Sequence, residues 1–148
     1  KFLYDKLKKK KIKYPNFECF NLGVNSTKGS FNLYLKKGAK NSSNYFSQSS
    51  SLLSDKFNVS KNKFIRVDCI TFDEVFKITG NVKLVKIDIE GAEYKIYKQL
   101  VKNSNKFENC LMECHYSKLP LTYKKRHEQM VKYINSHVNR NKFNLDYL

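Results

Sequence analysis

The chain has 148 residues, about the length of one domain, and 41% of them are hydrophobic. This apolar share excludes a disordered polyelectrolyte, although 29 Lys and Arg against 13 Asp and Glu give a formal net charge of +16. Such a charge favours encounters with nucleic acid, anionic lipid or acidic substrates. Because lysine and asparagine are abundant from end to end, a general compositional bias explains the charge equally well.

The first half of the chain predicts two strands and a long loop after an initial helix. Residues 1–11 place apolar side chains at helical intervals, which indicates the end of an amphipathic helix. A buried strand is predicted over 17–24 and an alternating strand over 30–37, and together they suggest a hairpin insertion. Residues 38–61 are mostly Ser, Asn and Lys, which is typical of a long loop.

The middle of the chain carries clear helix boundaries. Residues 63–70 predict a strand, after which Thr71 and Glu74 form a T-x-x-E capping box. A short helix is therefore predicted to begin at about Phe72. Gly80 lies where a left-handed residue would end that helix.

Strands and helices alternate in the rest of the chain. Strands are predicted over 82–89, 108–116 and 141–148, and helices over 92–101 and 121–138. This alternation predicts an α/β fold with a mostly parallel, doubly wound sheet flanked by helices. Ligands of such sheets bind at the carboxyl ends of the strands, so these ends are where a functional site is expected.

Acidic residues gather at one such strand end, in the stretch LVKIDIEGAEY. Asp88 and Glu90 lie where the strand leaves the sheet, and they either form a buried ion pair with Lys86 or open into a functional cleft. Gly91 supplies the turn without a Cβ penalty. Glu93 falls in the first turn of the next helix, where the helix dipole stabilises an anion.

The same stretch carries a resemblance to a known family. VKIDIEGAEYKIYKQL resembles the K-I-D-x-E-G-A-E signature of the FkbM-type methyltransferases, S-adenosylmethionine-dependent enzymes that mostly methylate hydroxyl groups. YPNFECFNLGVNSTKGSFNLYL is similar to the family's third strand and following hairpin. CITFDEVF is similar to its T-L-D-D-L segment, with Phe72 for leucine, and CLMECHY to its strand ending in Glu and His.

The resemblance implies a Rossmann-like class I methyltransferase fold and S-adenosylmethionine as cofactor. The family's first strand with its glycine-rich loop, and its second strand with the ribose-binding acid, have no counterpart here. We therefore expect residues 1–148 to form a single partial domain, truncated at both ends, that binds the cofactor poorly on its own.

The resemblance also implies roles for residues at the strand ends. Asp88 is expected to be catalytic and to lie beside the cofactor, and Glu90 is expected to be catalytic and to bind the substrate. Gly23 and Asn25 are cofactor-binding candidates, since this turn approaches the adenine in related enzymes, although an ordinary turn also explains both residues.

Histidines are the remaining candidates for acid–base chemistry. The resemblance implies that Glu113 and His115 lie beside Asp88 and bind the substrate, with His115 either a general base or a hydrogen-bonded group that closes the strand. His127 and His137 are predicted to be packing or capping groups. A metal site built from the acids and His115 is conceivable, but no ligand spacing requires it, and no metal is predicted.

Two alternatives to an active enzyme remain. The net charge and the aromatic residues among the lysines favour a nucleic-acid-binding module, which explains the charge but not the strand-end acids. The missing glycine-rich loop favours a catalytically degenerate scaffold. For an enzyme, the resemblance implies that the acceptor is a sugar, another glycan or a natural-product-like small molecule. Tyr45 and Phe46 either cover it as a lid or only anchor their loop.

Cysteine spacing and hydropathy indicate where the protein is located in the cell. The cysteines show neither a C-x-x-C pair nor metal-ligand spacing, so they are predicted to be buried, reduced thiols. The sequence has no apolar run of about 18 residues that would span a bilayer and no signal-peptide pattern. We therefore expect a cytoplasmic protein without a membrane span.

Overall fold

The computed structural model describes residues 2–10, 13–14, 16–38 and 49–145. Tyr45 and Phe46, the lid candidates, lie outside the described residues. The helices are α1 (Phe2–Lys10), α2 (Phe72–Thr79), α3 (Glu93–Lys102) and α4 (Thr122–His137). The strands are β1 (Gly23–Val24), β2 (Gly29–Lys36), β3 (Val59–Ile70), β4 (Val82–Ile87), β5 (Phe107–Met112) and β6 (Phe143–Asn144).

The first sheet has the strand order β1-β3-β2, with β1 parallel and β2 antiparallel to β3. The predicted hairpin between residues 17–24 and 30–37 is therefore wrong, because β2 pairs with β3 instead. Only Gly23 and Val24 of the first predicted strand join the sheet. Gly23 is needed there, since a Cβ at this position would lie 2.7 Å from the Sγ of Cys69.

The second sheet is fully parallel, with the order β4-β5-β6. Its strands are shorter than the sequence predicts: β4 ends at Ile87 rather than residue 89, and β5 ends at Met112 rather than residue 116. The chain turns after β4 because Glu90 and Gly91 have positive φ angles of 56° and 106°. Parallel strands and flanking helices confirm the α/β class, but the described residues form two sheets of three strands rather than one.

Local sequence signals set the ends of α2. The backbone N–H of Glu74 donates to Thr71 Oγ1 at 3.3 Å, and the N–H of Thr71 donates to the Glu74 carboxylate at 3.0 Å. This confirms the predicted capping box. Gly80 has a φ of 66° and its N–H donates to the Phe76 carbonyl, as expected of a helix end.

The core lies between α3, α4 and the second sheet. Ile96 and Leu100 on α3 are fully buried, as are Met130 and Ile134 on α4, and the four side chains share one cluster with residues of β4, β5 and β6. The predicted apolar stripe of α3 is thus confirmed. None of the described helices combines the length and apolarity that a bilayer crossing requires.

We expect Leu100→Ala to lower the free energy of unfolding by about 2–5 kcal/mol, because it leaves a cavity in this core. Leu121, which is 90% exposed, provides a matched control. Leu121→Ala should change the stability by no more than about 0.5 kcal/mol. Urea denaturation of both variants tests the assignment, and equal losses would contradict it.

The cysteines differ in burial and should differ in reactivity. None of the four is in a disulfide; Cys69 and Cys110 are buried, whereas Cys19 is partly exposed. Burial raises the pKa of the Cys110 thiol to about 12. Because the thiolate is the reactive form, we expect iodoacetamide at about pH 8 to modify Cys19 well before Cys110. Peptide mass spectrometry over time measures both rates, and similar rates in the folded chain would contradict the described burial.

Candidate functional site

The parallel register of β4 and β5 brings two acidic segments together. Ile87 lies opposite Met112, and the N–H of Glu113 donates to the Ile87 carbonyl at 3.0 Å. Asp88 and Glu113 therefore leave neighbouring strands at the same edge of the sheet. The predicted proximity of Glu113 and His115 to Asp88 is what the structure shows, although both residues lie beyond the end of β5 rather than within it.

His115 is at the centre of this acidic cluster and is only 2% exposed. Its Nε2 atom lies 3.1 Å from Glu113 Oε1, 3.3 Å from Glu90 Oε2 and 3.8 Å from Asp88 Oδ1. Neither ring nitrogen makes a hydrogen bond of acceptable geometry with the described residues. Burial lowers the pKa of His115, but Glu93, Glu90 and Glu113 outweigh that effect, so the pKa lies above its ordinary value.

Glu93 connects the turn after β4 to the end of β5. Its carboxylate is fully buried and accepts the N–H of Gly91 on Oε2 and the N–H of His115 on Oε1, each at 2.8 Å. The His115 Nδ1 atom also lies 3.4 Å from Oε1. Glu93 is in the first turn of α3, as expected, but its place in that turn does not explain these contacts. The carboxylate therefore fixes both the turn and the backbone at His115.

The segment from Ser49 to Lys56 packs over the turn at Glu90. Ser51 Oγ donates to the Glu90 carbonyl at 2.7 Å, which supports a residue in the left-handed region. Gly91 leaves room for this packing, because a Cβ there would approach Leu53 to 3.0 Å and Leu119 to 3.2 Å. Part of the predicted loop is therefore a supporting element of the site.

Lys56 supplies the positive charge beside Glu90. Its side chain is fully buried, and its ammonium group contacts Glu90 Oε2 and donates to the Ser49 carbonyl at 3.4 Å. Burial raises the pKa of Glu90, but the contact with Lys56 outweighs it and holds the pKa below its ordinary value. Lys86, the partner that the sequence suggests for the strand-end acids, is exposed on β4. Lys56 could not be predicted from the sequence, because no local signal distinguishes it among 29 Lys and Arg.

An open cleft of about 670 Å³ lies between the first sheet and the end of β4. Asp88, Glu90 and Gly23 are among its lining residues, and the Asp88 side chain is 48% exposed. Asn25 is 3% exposed and is not part of the lining, so the structure brings Gly23 but not Asn25 to the cleft. His115 lies behind the acids and is not among the lining residues.

The other two histidines pack against aromatic rings away from this cluster. The His127 ring lies 4.5 Å from the Tyr116 ring, and the His137 ring stacks on Tyr133 at 4.0 Å. Both are therefore packing groups, as the sequence predicts.

We expect Glu93→Gln to destabilise the chain by about 1–3 kcal/mol, because a single amide oxygen cannot accept both buried N–H groups as two carboxylate oxygens do. Glu128→Gln, an exposed change of the same kind on α4, serves as the control and should be nearly neutral. Urea denaturation compares the two. If both variants unfold at the parent's midpoint, Glu93 does not hold the site together.

The chain was also compared with known proteins. Comparison with curated proteins and with solved structures gave no match. The family described as Methyltransferase FkbM domain matches residues 2–141, which cover most of the chain and include every element of the acidic site. The chain therefore belongs to the FkbM methyltransferase domain family.

Proposed function

We propose that this chain is part of an S-adenosylmethionine-dependent methyltransferase that methylates a hydroxyl group of a sugar or natural-product-like acceptor. The family membership supports methyl transfer. The position of Asp88 carries the rest of the proposal, because its half-exposed carboxylate lies in the cleft at the end of a parallel strand. A partial Rossmann-like methyltransferase fold agrees with the parallel second sheet and its flanking helices.

The cleft has suitable size and chemistry for the cofactor. Its volume of about 670 Å³ falls within the range of about 300–1,000 Å³ that is usual for small-molecule sites. Carboxylates of Asp68, Asp88 and Glu90 line it together with the apolar side chains of Leu22 and Val24. A ligand with a cationic sulfonium and amino group at one end and a flat base at the other matches this pattern. The acids would hold the cationic end, and the strand beginning at Gly23 would border the base.

The chain's own residues would align the acceptor and take its proton. S-Adenosylmethionine, when bound, would supply an electrophilic methyl group from its sulfonium; an O–C bond would form as the C–S bond breaks, with the electron pair left on sulfur. Asp88 accepts a hydrogen bond from the acceptor hydroxyl and receives its proton as the oxygen attacks. Glu90 adds negative charge that complements the cationic donor.

The buried groups position these two carboxylates. His115 is too enclosed to touch an acceptor directly, so we assign it to holding Glu90 and Glu113 rather than to direct contact with the substrate. Glu93 in turn fixes His115. Asn25 has no direct place in this arrangement, since it lies outside the cleft lining.

The cleft gives little support to nucleic-acid binding. Its walls carry the carboxylates of Asp68, Asp88 and Glu90, which would repel phosphate groups. The net charge of +16 is a property of the whole chain and does not mark this site.

We expect the intact protein that contains this chain to transfer a labelled methyl group from S-adenosylmethionine to one or more members of a panel of sugars and polyhydroxylated natural products. Asp88→Asn should lower kcat by about 10²–10⁴-fold, the usual contribution of a positioned base, without changing the thermal midpoint. Glu108→Gln, an exposed change on β5, should leave kcat unaltered.

Two results would contradict this proposal. The first is the absence of both saturable S-adenosylmethionine binding and product, which would favour a degenerate scaffold. The second is an Asp88→Asn variant that loses stability and activity in parallel, which would make Asp88 a structural residue. A binding constant for duplex DNA that falls steeply with salt would instead support the nucleic-acid alternative.

A further inference from the structure

The geometry points to a binding site for one divalent cation, of the Mn²⁺ class, formed by Asp88, Glu90 and the Nε2 atom of His115. The site rests on the arrangement of these side chains and does not depend on methyl transfer. It also differs from what the sequence alone favours, since the spacing of these residues along the chain gave no reason to predict a metal.

The three ligand atoms are close enough to share one ion. One oxygen from each carboxylate and the imidazole nitrogen all lie within 4.8 Å of one another. Two ligands of a single ion can be separated by at most twice the bond length, or about 4–5 Å for oxygen ligands of Mg²⁺ or Ca²⁺. Small side-chain rotations are therefore enough to close the coordination.

The negative charge of the acidic cluster favours the binding of a cation. Four carboxylates, from Asp88, Glu90, Glu93 and Glu113, surround one imidazole, and Lys56 is the ammonium group that contacts them. Lys118 also acts electrostatically on Glu90, and the four carboxylates still outnumber these two ammonium groups among the described residues. Such an excess is costly in a partly buried site unless a cation balances it.

The imidazole Nε2 atom faces the carboxylates of the cluster without a hydrogen bond of acceptable geometry to any described residue. His115 is almost completely buried, with 2% of its surface exposed, and its Nε2 atom makes no acceptable hydrogen bond with the described residues. A neutral imidazole would direct a lone pair at three carboxylates, which is repulsive. A metal ion placed between them turns that repulsion into coordination.

Glu93 provides the outer support that metal-binding histidines usually have. A ligating histidine commonly donates its second N–H to a carboxylate, which fixes its tautomer and orientation. Here Nδ1 lies 3.4 Å from Glu93 Oε1, and the same oxygen accepts the His115 backbone N–H at 2.8 Å. The Nδ1 contact lacks hydrogen-bond geometry as it stands, but a small rotation of the ring would let Nδ1–H donate to Glu93 while Nε2 faces the ion.

The ligand set selects the type of ion. Carboxylate oxygens favour hard cations such as Mg²⁺ and Mn²⁺, whereas imidazole nitrogen favours transition metals. Mn²⁺ satisfies both preferences. Because the Asp88 side chain is half-exposed in the cleft, an ion held there can also take a water molecule or a hydroxyl group from that side.

Titration of the full chain with MnCl₂, followed by the loss of the free Mn²⁺ signal in electron paramagnetic resonance, tests this site without any methyl donor. We expect saturable binding of one ion per chain. Asp88→Asn should weaken it by at least about tenfold, a loss typical of changes in a metal's surroundings. Asp68→Asn is the matched control, since Asp68 lines the same cleft but is not part of the cluster, and its binding should match that of the parent.

His115→Gln should abolish Mn²⁺ binding. If His115→Gln prevents folding, the comparison of Asp88→Asn with Asp68→Asn tests the site instead. Equal weakening by Asp88→Asn and Asp68→Asn would show that the ion is attracted by the general charge of the cleft, and would overturn the proposal. The absence of saturable Mn²⁺ binding to the folded parent would also overturn it, leaving a proton on His115 as the balancing charge. Each of these results is independent of whether methyl transfer is observed.

Discussion

The candidate site depends on one buried carboxylate. Glu93 accepts two backbone N–H groups, one from the turn after β4 and one from the chain just beyond β5, and it does so with separate oxygens. The positive φ angles of Glu90 and Gly91 are tolerated because the surrounding contacts hold the turn in place. Without this link, the two strand ends would still be neighbours, but the direction of their acidic side chains would not be fixed.

The acidic residues of the site cluster within a basic chain because of the way two strands pair. Parallel pairing of β4 and β5 places the residues that follow Ile87 and Met112 at one edge of the sheet, so charges from distant parts of the sequence meet there. Two of them, Asp88 and Glu90, face an open cleft, while Glu93 and His115 are enclosed behind them. This division separates groups that can touch a ligand from groups that orient them.

Local sequence patterns predicted the features that depend on interactions between residues close together in the chain. The capping box at Thr71 and Glu74 and the apolar stripe of α3 follow from hydrogen-bonding groups and helical period. The meeting of Asp88 with His115 was instead implied by the resemblance to the methyltransferase family. Strand ends were predicted less well, because alternation continues through residues that have no pairing partner. The pairing of β2 with β3 depends on contacts across a long connection that no pattern near β2 encodes.

The same limit explains the missed part of the site. Lys56 is 32 residues from Asp88 in numbering, and a lysine in a lysine-rich segment carries no sign that it will be fully buried. Its partner Glu90 was predicted from the strand end alone. Only the folded chain shows that the segment around Lys56 returns to cover the turn.

That return has a thermodynamic consequence. Lys56 and Ser51 attach a segment that also bridges to Tyr34 of β2 to the side chain and the carbonyl of Glu90. Any ligand that changes the charge around Glu90 must then change the free energy with which this segment docks, and docking must change the affinity for the ligand by the same amount. Docking of the segment from Ser49 to Lys56 and ligand binding at the acidic cluster are therefore thermodynamically coupled.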